Sequence, residues 1–97
     1  MILREMYRSI ASGEFSKTCN NNGIDLGASF IEIKNEYTSD VLFAREGRLI
    51  KNVDSCLMKQ IEDLVFSFYL SNQENLLFCD KLCITVTGKD GHVDVFC

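Results

Sequence analysis

The chain holds one histidine, His92, and five cysteines, Cys19, Cys56, Cys79, Cys83 and Cys97, and these six side chains bound its nucleophilic and soft-metal chemistry. Any mechanism that moves a proton through imidazole must use His92, which follows the Asp90-Gly91 turn. If strand alternation resumes there, His92, Asp94 and Phe96 share a face, so that Asp94 would orient the ring as a base for Cys83 or Cys97. Neither a G-x-S-x-G nor a Cys-His signature accompanies them, and the expectation is an exposed strand histidine beside a solvated acid. Cys79, Cys83, His92 and Cys97 offer four zinc ligands, yet structural zinc sites come as two close pairs, and only Cys79 and Cys83 are close. No metal site is expected. An odd number of cysteines without a secretion signal favours reduced thiols that pack as small apolar groups over a disulfide framework.

The carboxylates give no acid/base pair. Glu32 and Glu36 share a strand face, but at about 3.3 Å per residue they stand roughly 13 Å apart, beyond the reach of a glycosidase pair. Glu62 and Asp63 are adjacent on a helix and diverge. No glycine-rich phosphate loop occurs, and Asp90-Gly91 lacks the remaining ligands of a calcium loop, so no cofactor is expected and the chain does not read as an enzyme.

The elements that would position these residues follow from periodicity. Ile2, Leu3, Met6, Tyr7 and Ile10 recur at helical spacing up to Ser12-Gly13, and Asn20 to Gly23 reads as a turn-prone loop. From Phe30 the period becomes two, with Ile31 and Ile33 on one face and Glu32, Lys34 and Glu36 on the other. Turns at Tyr37–Asp40 and Glu46-Gly47 would link this strand to a second, Val41 to Arg45, and a third, Arg48 to Lys51, in an antiparallel meander. Asp54 is placed to cap a long helix, Asp54 to Ser71. Leu76 to Cys79 would add a short strand or simply cover the core. Leu82 to Thr87, a Gly88–Gly91 turn and His92 to Cys97 form a terminal hairpin. The fold class is therefore α+β, an antiparallel sheet of four to six strands with two helices in the order α-β-β-β-α-(β)-β-β, as a single domain over residues 1–97.

Around the long helix, Leu57, Ile61, Leu64 and Phe68 form a narrow stripe, widened by Met58 and Val65, that should cover the sheet. Phe66 and Leu70 point almost the opposite way. The plainest expectation is that they rest on the N-terminal helix; the other is a homodimer or partner surface.

Composition narrows the partner. The net charge of −4 and pI near 4.8 argue against nucleic acid, which is bound through clustered Lys and Arg, and favour a basic partner. Residues 1–49 carry seven acids and six bases and residues 50–97 seven and four, so neither half is basic. The longest mainly apolar run, Leu64 to Leu70, is too short to cross a bilayer, and the opening MILREMYRSI has charges where a signal peptide needs an apolar stretch; a cytosolic protein is expected.

Small size, acidity, this element order and the lack of a catalytic constellation together resemble the immunity proteins that bacteria pair with secreted toxins, including those of contact-dependent growth inhibition. The resemblance implies a cytosolic inhibitor that binds a toxin domain, often a nuclease with a basic groove, and covers or distorts its active site. The order α-β-β-β-α-β-β with low pI is also similar to class I type III secretion chaperones, which dimerise and hold an effector segment, although those usually add a final helix. For a partner site the sequence offers Glu32, Glu36 and Asp40 around Tyr37, acids beside an aromatic of the kind that anchors interfaces. Phe66 with Leu70 is the alternative. The rival from another class is a small thiol enzyme using Cys83 or Cys97 with His92.

Overall fold

In the computed structural model, which describes residues 1–97, the chain forms α1 (Leu3–Ala11), α2 (Glu14–Asn21), β1 (Phe30–Asn35), β2 (Val41–Glu46), α3 (Val53–Leu70), β3 (Leu82–Thr87) and β4 (Val93–Phe96). The four strands make one antiparallel sheet in the order β2-β1-β3-β4, two hairpins side by side with their first strands paired at the centre. The protein is α+β, as expected.

Alternation decides which face is covered. On β1 and β3 the opposed pairs Ile31–Val86 and Ile33–Ile84 lie on the helix side, and all four side chains are buried. α3 sets Leu57, Ile61, Leu64 and Phe68 against them, α1 adds Leu3, Met6 and Ile10, α2 adds Phe15 and Cys19, and Leu82 at the start of β3 completes one cluster of 14 buried side chains. Burial of each large aliphatic group contributes about 1.5–3 kcal/mol, so this stripe accounts for the folding of α3 onto the sheet. Phe15 meets Phe96 of β4 edge-on, with ring centroids 5.2 Å apart. The other face, with Phe30, Glu32, Lys34, Thr85, Val93 and Val95, carries no helix.

Three local expectations are corrected. The sequence suggested two helices; there are three, because Glu14–Asn21 is helical directly after the left-handed Gly13 at φ 80°. This segment is rich in Ser, Thr, Cys and Asn, poor helix formers. It is held by Phe15 and Cys19 in the core and by Ser16, whose hydroxyl donates to the Asp54 carboxylate at 2.6 Å. The third strand expected at Arg48 to Lys51 is absent, and Gly47–Leu49 forms a 3-10 turn. Its cause is distant in sequence: the Gly47 N–H donates to the Ser29 carbonyl at 2.6 Å, and a Cβ on Gly47 would stand 1.9 Å from the Leu26 carbonyl oxygen. That contact draws the chain off the sheet and leaves β2 as an edge.

The helix cap is Asn52, whose side chain accepts from the Ser55 N–H at 3.2 Å, and α3 begins at Val53, with Asp54 turned instead to Ser16. Of the two readings of Leu76 to Cys79 the structure has the second: Glu74–Phe78 is a 3-10 turn that lays Leu76 and Leu77 on the core. No helix is long and apolar enough to cross a membrane.

Candidate functional site on the β1–β2 turn and the open sheet face

The turn between β1 and β2 is fixed by its own side chains. Asn35, nearly buried, turns its carbonyl oxygen to the chain ahead and accepts from the N–H groups of Tyr37 at 3.0 Å and Thr38 at 3.2 Å. The Asn35 N–H donates to the Asp40 carbonyl at 2.9 Å, and the Glu36 N–H to the Lys81 carbonyl at 2.8 Å. The Thr38 hydroxyl donates to the Asp40 carboxylate at 2.9 Å, while Ser39 takes the left-handed φ of 64° that closes the turn. Tyr37 is 84% exposed at the tip of this network. An aromatic held out on an ordered turn loses little further freedom when it is bound.

Glu36, Tyr37 and Asp40 are thus brought together, and all three are exposed. Glu32 is not part of the cluster: it sits further along the open face, half-buried, opposite Ala44 and Thr85. Lys34 lies between Glu32 and Glu36 on that face and interrupts the acidic stripe.

Beneath Glu36 the sequence expectation of packed reduced thiols is overturned. Cys83 and Cys97 form a disulfide that ties β3 to the residue after β4. The hairpin pairs Ile84 with Phe96, so one further step sets Cys83 opposite Cys97. Nothing in their separation of 14 residues reveals this without the register. A Glu36 carboxylate oxygen lies 3.5 Å from the Cys83 sulfur and 3.6 Å from that of Cys97.

Cys19, Cys56 and Cys79 are free. Burial, and after it the carboxylates of Asp94 and Asp54, push the Cys19 thiol up from 9.0 to about 11, so it stays protonated and unreactive near neutrality.

His92 and Asp94 do share a face, with Nε2 3.2 Å from Oδ2, but the imidazole is largely exposed. Alternation puts Cys97 on the other side of β4, away from that pair. The Cys83 or Cys97 with His92 arrangement is therefore not assembled, and both sulfurs are engaged with each other.

Phe66 and Leu70 do not rest on α1. They are 66% and 70% exposed, and Tyr69 and Phe78 are exposed as well. α1 packs instead on the flank of α3 that carries Ile61 and Val65, where Leu3, Tyr7, Tyr69 and Phe78 line a shallow groove of about 460 Å³. Comparison of the chain with protein-family models, with curated proteins and with solved structures returned no match.

Proposed function

We propose that this protein is an immunity-type inhibitor, a binding module that inserts the β1–β2 turn into the basic groove of a toxin domain. The observation that carries the reading is Tyr37, 84% exposed at the tip of a turn fixed by Asn35 and Asp40, with exposed Glu36 and Asp40 on the same short turn. Aromatic anchors ringed by polar groups dominate binding energy in protein interfaces, and acids around one would steer it toward a cationic cleft. Glu32 extends the contact along the open sheet face.

The test is binding, followed by calorimetry, to toxin nuclease domains taken from any gene found immediately upstream of this one. Tyr37→Ala is expected to weaken binding by about 2 kcal/mol, roughly thirtyfold, as an anchor would. The triple reversal Glu32→Lys, Glu36→Lys and Asp40→Lys should slow association and reduce its salt dependence. Unchanged affinity in both variants, with the fold intact by circular dichroism, would remove this surface from the interface.

The second reading, an effector-holding homodimer of the secretion-chaperone kind, is favoured by one observation: Phe66, Leu70, Tyr69 and Phe78 leave a large apolar area uncovered around the end of α3.

A further inference from the structure

We propose that Glu36, Cys83 and Cys97 form a redox-gated site for a borderline-soft divalent metal ion such as zinc, shut while the two sulfurs are bonded and open once they are reduced. The ligand atoms are already gathered: one carboxylate oxygen and two sulfurs lie within 4.8 Å of one another. Zinc binds sulfur at about 2.3 Å and carboxylate oxygen at about 2.0–2.2 Å, so tetrahedral ligands stand about 3.5–3.8 Å apart. The Glu36 oxygen meets that spacing to both sulfurs, at 3.5 and 3.6 Å. Only the sulfur–sulfur separation has to widen, and reduction permits it.

The frame is firm and the site is reachable. Cys83 is 1% exposed within the central strand β3, and the Glu36 backbone is tied to Lys81 at the entry to that strand. Cys97 is exposed, which gives an ion a path from solvent and leaves a fourth position for water. Charge distinguishes this use from thiol catalysis. A carboxylate between two sulfurs works against a thiolate nucleophile and for a cation. Two thiolates and a carboxylate on a divalent ion carry one net negative charge, and Lys34, directly across from Cys83 on the open face, offers the complement. His92 lies on the other side of β4 and is not a ligand.

The step balances with a dithiol as reductant. Its two sulfhydryls pass two electrons and two protons to the Cys83–Cys97 bond, which breaks to two thiols as the reductant closes to its own disulfide. The metal ion then displaces the two thiol protons into solvent, and the Glu36 carboxylate binds without proton change.

Cobalt(II) is the probe, titrated into protein reduced with a dithiol and desalted without oxygen. One ion per chain is expected, with thiolate-to-cobalt charge-transfer absorption that zinc bleaches, whereas the oxidised protein should show no such band. Cys97→Ser should halve the band, and Glu36→Gln should keep it while weakening binding by at least about tenfold. A reduced protein without the band overturns the proposal, as does a band that survives in the Cys83→Ser, Cys97→Ser double variant and so belongs to Cys19, Cys56 or Cys79. Full affinity in Glu36→Gln, or a band seen only after far-UV dichroism shows the fold is lost, overturns it equally.

Discussion

Breaking the Cys83–Cys97 bond should cost this domain a large part of its stability. The bond joins cysteines 14 apart in sequence, and the chain-entropy account gives about 3 kcal/mol for a loop of about that length. One feature sets the figure lower. The turn already closes on itself, with the Gly88 N–H donating to the His92 carbonyl at 2.9 Å and the Gly91 N–H to the Gly88 carbonyl at 3.0 Å. Some of that hairpin will persist in the unfolded chain and shrink the entropy the bond removes. Against this, β4 is a four-residue edge strand whose only strand partner is β3, so the bond also anchors the edge. A loss of about 2–3 kcal/mol follows, and at 4–8 °C per kcal/mol for a domain of this size Tm should fall by about 8–24 °C. Thermal melts by far-UV dichroism would compare oxidised wild type, reduced wild type and oxidised Cys97→Ser, with mass spectrometry to verify the thiol state. The last two should melt together, and dithiol should leave the variant unmoved. Zinc at a hundred times its Kd for the Glu36–Cys83–Cys97 site should return about 2.7 kcal/mol to the reduced protein, nearly the whole loss. A reduced wild type that melts within about 2 °C of the oxidised form would refute the reasoning that this bond constrains the unfolded chain.

Three further outcomes are expected. Gly47→Ala should destabilise by about 1–3 kcal/mol or more in urea unfolding, because its Cβ would stand 1.9 Å from the Leu26 carbonyl oxygen and both partners are backbone; an unchanged midpoint would mean that the turn is not packed as described. The folded state holds the Cys19 thiol at about 11 against an ordinary 9.0, so the folded protein binds that proton more tightly. Its contribution is complete below pH 9 and is lost as pH rises through about 11; Cys19→Ala should flatten the alkaline limb of stability measured against pH. Phe66→Asp should change stability by less than about 0.5 kcal/mol in a monomer, since Phe66 is 66% exposed; a larger loss, with dissociation seen by light scattering, would place that face in a homodimer.

What the sequence disclosed and what it withheld divide by the range of the interaction. The α3 stripe and the alternation at Ile31, Ile33 and Leu82–Thr87 are local periodicities, and the structure buries the expected side chains. α2 and the 3-10 turn at Gly47–Leu49 are set from afar, the first by Phe96 and Asp54, the second by Leu26 and Ser29. Local propensity is a weak prior against such contacts. The helical wheel did separate Phe66 and Leu70 from the stripe, but periodicity records which way a residue points and not what lies opposite. The same limit hid the sulfur chemistry. Spacing drew attention to Cys79 and Cys83, neighbours in sequence, whereas Cys83 and Cys97 stand equally far from Asp90 at the tip of the last hairpin. The four-residue turn read at Gly88–Gly91 would set Cys83 opposite Phe96, and only the observed register, Thr87 opposite Val93, brings it opposite Cys97. The Glu36 carboxylate that faces both sulfurs had no comparable signal, because it arrives from β1 through the β1–β3 register, Asn35 opposite Leu82 and Lys34 opposite Cys83. A three-ligand cluster built from two hairpins is legible only once the order in which they dock is known.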